Sequence, residues 1–142
     1  MRILALDPGS VRLGLAISDS AGSLAFPLEI LRREDGEGWL GRLAEIIRER
    51  GVELVVVGLP LSLSGERGPA AEQAEALAEQ LREALPVPVV TWDERLSSAQ
   101  VERAMREAGL SARERRGAVD AAAAAVILQS YLDAHGTHEE ET

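Results

Sequence analysis

Arg2-Ile3-Leu4-Ala5-Leu6-Asp7-Pro8-Gly9-Ser10-Val11-Arg12-Leu13-Gly14 is the stretch that decides the architecture. Ile3 to Leu6 form an unbroken apolar run, the mark of a strand at the centre of a sheet covered on both faces. The run ends on one carboxylate, Asp7, and Pro8-Gly9 then turns the backbone out of the sheet. Desolvating a carboxylate costs several kcal/mol unless something pairs with it. Asp7 therefore lies either at the sheet's edge in water or against a cation.

Outward from this turn, Gly14 to Asp19 reads as a second strand and Leu24 to Leu31 as a third, separated by a tight turn at Ser20 to Ser23. Pro27 suits an edge position, because proline donates nothing to a ladder. Three strands on such short connections predict an antiparallel meander. Leu40, Leu43, Ala44 and Ile47 then recur at helical spacing over Glu37 to Arg50, with Gly51 as the stop. Glu53 to Gly58 is a fourth, buried strand. After a polar loop at Leu61 to Gly68, Pro69 opens a helix to Leu85. Val87 to Trp92 is a fifth strand, ending in Asp93-Glu94-Arg95. Ser97-Ser98-Ala99-Gln100 has capping-box spacing before a helix that Gly109 ends. A last helix runs from about Gly117 to Ala134. Strands four and five follow helices and should lie parallel to the first through right-handed crossovers. The fold class is α/β, with a five-stranded mixed sheet, three strands antiparallel and then two parallel, flanked by helices. One domain is expected over 1–134, and 135–142 reads as a disordered acidic tail.

Composition narrows the function. The chain has 142 residues, 46% of them apolar and 3% aromatic, which suits one core built of Leu, Val, Ile and Ala. With no cysteine, disulfides and thiolate–metal chemistry are excluded, and a reducing cytoplasm fits. No apolar run approaches the ~18 residues of a membrane span. The net charge of −9 argues against a protein held on nucleic acid by bulk electrostatics. All fifteen basic residues are arginine, for which codon bias is the plain account. From Asp93 to Asp120 six acids face six arginines, so the deficit lies elsewhere in the chain. An anionic substrate must be met locally, by arginines or by metal ions.

Three acids stand out. Ligands of such sheets collect beyond the carboxyl ends of the parallel strands, where Asp7 and Glu94 lie. Between Ala118 and Leu128 the final helix is apolar at every position except Asp120. Singly, each has a plainer account: Asp120 as an acid at a helix N-terminus, Glu94 as a surface ion-pair partner, Asp7 as a turn residue. Together, gathered without a cation, they would repel one another. A site of carboxylates alone suits Mg²⁺ or Mn²⁺. Two such ions, about 3.5–4 Å apart, promote phosphodiester hydrolysis.

Four motifs in order resemble those of the YqgF (RuvX) family. They are D-P-G-S-V-R-L-G-L-A-I-S-D from Asp7, G-L-P at Gly58 to Pro60, D-E-R-L-S-S at Asp93 to Ser98, and D-A-A-A-A-A-V-I-L-Q-S-Y-L from Asp120. The resemblance covers nearly the whole chain. It implies an RNase H-like fold, with Asp7, Glu94 and Asp120 as catalytic, metal-binding acids for two Mg²⁺ or Mn²⁺ ions. It also implies action on Holliday junctions or in 5′ maturation of pre-16S ribosomal RNA, the latter on a pre-ribosomal particle.

Arg12, Arg95 and the basic run containing Arg115 and Arg116 are the candidates for substrate phosphates, with Gly9 letting backbone approach substrate. Arg12 and Arg95 each have a simpler reading as a balance for a neighbouring acid, and the basic run one as a solvated loop. Trp39, Trp92 and Tyr131 are too scattered to stack bases. The leading function is a metal-dependent endonuclease on structured RNA, with branched DNA as the alternative, acting as monomer or homodimer in the cytoplasm. Pre-16S processing ranks above junction resolution because resolution calls for a dimer and a basic face. A non-catalytic nucleic-acid- or ribosome-binding protein is a further alternative. An ATP-binding module of the actin/sugar-kinase type would need two such domains, and this length supplies one.

Overall fold

A computed structural model describes residues 1–9, 11–33, 36, 38–61, 64–94 and 122–135. The strands are β1 (Arg2–Asp7), β2 (Arg12–Ser18), β3 (Ala25–Arg32), β4 (Val52–Leu59) and β5 (Val89–Asp93). The helices are α1 (Gly38–Arg50), α2 (Pro69–Ala84) and α3, the helix over 122–135. The helix expected after Ser97 lies outside the described residues.

The sheet order is β3-β2-β1-β4-β5. β1 pairs antiparallel with β2 and parallel with β4, β2 pairs antiparallel with β3, and β4 parallel with β5. This is the meander followed by two parallel strands that the sequence predicts. Pro27 sits on edge strand β3, where the β2–β3 register slips between Leu15 and Ala16. A missing donor and a local irregularity are both tolerated at an edge.

Side-chain alternation divides the sheet into two unlike faces. Leu4 and Leu6 of β1, with Leu13, Leu15, Val55 and Val57, pack under Trp39, Leu43 and Ile46 of α1 and Leu77 and Leu81 of α2. Several of these are fully buried leucines, each contributing about 1.5–3 kcal/mol. The other face is built of smaller residues, Ile3, Ala5, Ala16 and Val56, under Ala124, Ile127, Leu128 and Leu132 of α3. Ala5 and Ala16 on the sheet leave room for the larger Ile127, Leu128 and Leu132 of the helix.

Side-chain hydrogen bonds fix α3 at both flanks. Gln129 accepts from the Ala25 amide at 3.0 Å and donates to the Ser23 carbonyl at 3.0 Å. On the other flank the Trp92 indole donates to Ser130 Oγ at 3.1 Å. The helix carries through His135, one residue past the expected boundary. The His135 ring stacks on Tyr131 at 4.1 Å and meets the edge of Trp92 at 5.2 Å. Trp92 and Tyr131, scattered in sequence, are thus neighbours, with ring centroids 5.3 Å apart.

Ile127 lies over Gly58 at the carboxyl end of β4. Leu132 and His135 lie with Met1, Ile3 and Leu54 at the opposite end. Hence α3 runs against the parallel strands, and its first described turn stands at their carboxyl edge. No helix among the described residues is long and apolar enough to cross a membrane.

Candidate active site

Asp7 is the last residue of the central strand, half-buried and paired in register with Gly14 of β2. Ile3 and Ala5 face α3, so Asp7, two residues further, faces the same way. The turn that follows is shaped by Gly9, where a Cβ would stand 2.4 Å from the Arg12 carbonyl oxygen. Any side chain there would force that carbonyl, and with it the start of β2, to move.

Glu94 follows the end of β5, and its amide donates to the Leu59 carbonyl at 3.2 Å. Val90 and Trp92 face α3, and so does Glu94. Asp93 belongs by alternation with Val89 to the opposite face. The Glu94 carboxylate reaches across the tip of β4. A Cβ on Gly58 would meet Glu94 Oε2 at 2.5 Å and Ile127 Cδ1 at 2.8 Å. Gly58 is therefore the floor on which this carboxylate rests, and Ile127 is its apolar neighbour. Oε2 is buried and has no hydrogen-bond partner among the described residues. Burial, and after it the nearby Asp93 charge, pushes the Glu94 carboxyl above the usual carboxylate range.

The tips of β1, β4 and β5 are thus neighbours in the sheet, and two of the three sequence-predicted acids stand on the α3 side of that edge. The third, Asp120, lies outside the described residues, as do Arg95, Arg115 and Arg116. Among the described residues no group of three acids or histidines is placed to hold a metal ion. Arg12 opens β2, on the face opposite Leu13, which again is the α3 side. Its register partner across the ladder is Arg32, so two arginines sit opposite one another where β2 begins after the Asp7 turn.

Three contributors escaped the sequence reading. Gly58 was visible only as part of Gly-Leu-Pro. Arg32 and Arg33 were unmarked arginines at a strand end. Arg33 Nη1 donates to the Gly9 carbonyl at 2.9 Å, joining the end of β3 to the turn after Asp7. Two adjacent arginines closing a strand that pairs beside the Asp7 turn were the available signal, and it needed the register to be read.

A family model described as RuvX, Holliday junction resolvase, matches residues 1–134. The chain belongs to the RuvX family. A RuvX-family relative of Desulforudis audaxviator (strain MP104C), named "Putative pre-16S rRNA nuclease", is 47% identical over 133 residues, covering 94% of each chain. Another of that name, from Anaeromyxobacter sp. (strain Fw109-5), is 50% identical over 133 residues, covering 94% of this chain and 97% of its own. Among solved structures, the Fowlpox virus resolvase in complex with Holliday junction DNA superposes with a TM-score of 0.57 at 11% identity, over 94% of this chain and 98% of that one. The RuvX chain therefore has the RNase H-like fold, and its family is one of nucleases.

Proposed function

We propose that the chain is a metal-dependent endonuclease that hydrolyses phosphodiester bonds in structured nucleic acid, with the 5′ end of pre-16S rRNA as its substrate. Asp7, Glu94 and Asp120 are assigned as the catalytic carboxylates and as ligands of two Mg²⁺ or Mn²⁺ ions. The observation that carries this reading is Glu94: a carboxylate oxygen buried beside Ile127, over a glycine, with no hydrogen-bond partner among the described residues. An uncompensated carboxylate in such a place destabilises a fold unless a cation meets it. Carboxylate oxygens, with no cysteine in the chain, fit a hard divalent ion. The described part of α3 begins at Ala122, at the carboxyl edge of the parallel strands, and Asp120 precedes it by two residues in the sequence.

Such ions, when bound, supply Lewis-acid stabilisation of the phosphate and activation of water. The chain's own residues do the rest. Asp7 is presented by a rigid central strand, and Gly9 keeps its turn tight. Gly58 leaves room for the Glu94 carboxylate. Ile127 excludes water from one side of it. Arg12, with Arg95, Arg115 and Arg116, is assigned to substrate phosphates.

The rRNA reading is supported by the names of relatives sharing about half of the residues, and by a net charge of −9 that does not favour a long basic groove. Holliday-junction cleavage is the second reading, favoured by the family description. A single cytoplasmic domain over 1–134, as monomer or homodimer, with a short acidic tail, completes the proposal. The test is incubation with Mg²⁺ or Mn²⁺ and two labelled substrates, a pre-16S 5′-leader RNA and a four-way DNA junction. Cleavage of the RNA by the native chain, abolished in Asp7→Asn with binding retained, is the expected result. Cleavage of the junction alone transfers the assignment to DNA. Binding without cleavage of either makes the chain a non-catalytic binder.

A further inference from the structure

Arg33 stands on the side of the sheet away from the acids, against α1 and α2. Its guanidinium carbon lies 5.4 Å from the centre of the Trp39 ring, and Nη1 donates to Gly9 at 2.9 Å. An aromatic face and a fixed carbonyl hold this guanidinium in one place, so little freedom remains to be lost when a ligand arrives. The group has five N–H donors, of which Gly9 occupies one. Beside it lies a cavity of about 250 Å³ lined by Pro8, Gly9, Arg33, Ala70, Gln73 and Ala74. The alanines keep its α2 wall low, and Gln73 adds an amide that both donates and accepts. That volume is below the ~300–1,000 Å³ of drug-sized sites and suits a phosphate with part of its sugar.

We propose that this cavity, between the turn after Asp7 and the first turns of α2, seats a backbone phosphate of the nucleic-acid substrate, flanking the bond presented to Asp7 and Glu94. The proposal rests on the nuclease reading for its choice of ligand. Pro8-Gly9 forms the ridge between the two places. A strand crossing the sheet's edge at that ridge lays one phosphate on the acid side and a neighbour on the Arg33 side. Because Arg33 also holds the Gly9 carbonyl, filling the seat and positioning Asp7 are mechanically linked.

Binding of labelled pre-16S 5′-leader RNA to the full chain, followed by fluorescence anisotropy in chelator across a salt series, tests this without cleavage. Arg33→Ala should raise Kd about tenfold or more and flatten the dependence of log Kd on log salt by about one contact's worth. Gln73→Glu places a negative charge on the exposed α2 wall without touching the Arg33–Gly9 bond. It should weaken RNA binding similarly while leaving the melting temperature unchanged. Native Kd and salt slope in Gln73→Glu, or a lowered melting temperature with unchanged Kd in Arg33→Ala, would show that Arg33 is a brace alone. Failure of the native chain to bind RNA would equally overturn the seat. If Kd responds to both variants while no cleavage occurs in Mn²⁺, the nuclease reading falls and the seat stands; cleavage by both variants at native Kd gives the converse.

Discussion

Gly58 shows how one absent side chain sets the chemistry of another residue. Its α-carbon faces α3 at the tip of β4, and the space a methyl would take is filled by Glu94 Oε2. Backbone and a packed isoleucine confine that space, so Gly58→Ala should expel the carboxylate. Metal-dependent cleavage is expected to fall at least tenfold while circular dichroism stays native. Glu94 itself carries a pH signature. Its folded-state pKa lies above its unfolded one, so the metal-free fold holds this proton more tightly than the unfolded chain does. That contribution to stability is complete below the unfolded value, near 4.3, and is lost as pH rises through the raised folded value. In chelator, Glu94→Gln should therefore melt above the native chain at pH 7, with the difference closing toward pH 4. Added Mn²⁺ should raise the melting temperature of the native chain and not that of Glu94→Gln. A variant equal to native at pH 7 in chelator would remove the argument from burial.

At the scale of elements, the central strand and its terminal acid were legible because a buried parallel strand writes an unbroken apolar run, and Asp7 interrupts it. The alanine-rich helix was legible for the same reason. What sequence does not carry is which distant residues share a tip. Glu94 resting on Gly58 joins positions 36 residues apart through the β4–β5 register, and the Arg33–Gly9 bond joins positions 24 apart through two hairpins. Neither pair has a periodicity to announce it. The Trp92–Tyr131 edge-to-face contact was missed likewise, because aromatic partners need no sequence spacing. Gln129 is the most exacting of these long-range links, since it satisfies the Ala25 amide on an edge strand. Gln129→Ala should cost about 1–3 kcal/mol in urea unfolding by leaving that donor unpaired. It should also loosen α3 over Glu94, lowering cleavage more than RNA binding.

For the molecule as a whole, net charge sets the terms on which a polyanion is met. With fifteen arginines against twenty-four acids, the proposed nuclease would draw a polyanion through a few placed guanidinium groups and bound divalent ions, not through an extended field. Binding of single-stranded RNA in chelator should accordingly depend weakly on salt, with a log–log slope of about −2 to −3, as for three or four neutralised phosphates. A slope steeper than about −6 would signal a broad basic face and favour the branched-DNA assignment.

The covering of Glu94 by Ile127 has a bearing on synthesis. A chain released or stalled before residue 122 has all five strands of its sheet, yet lacks the lid of the buried carboxylate. During translation the Glu94 carboxylate therefore gains its apolar cover only when the last helix has been made.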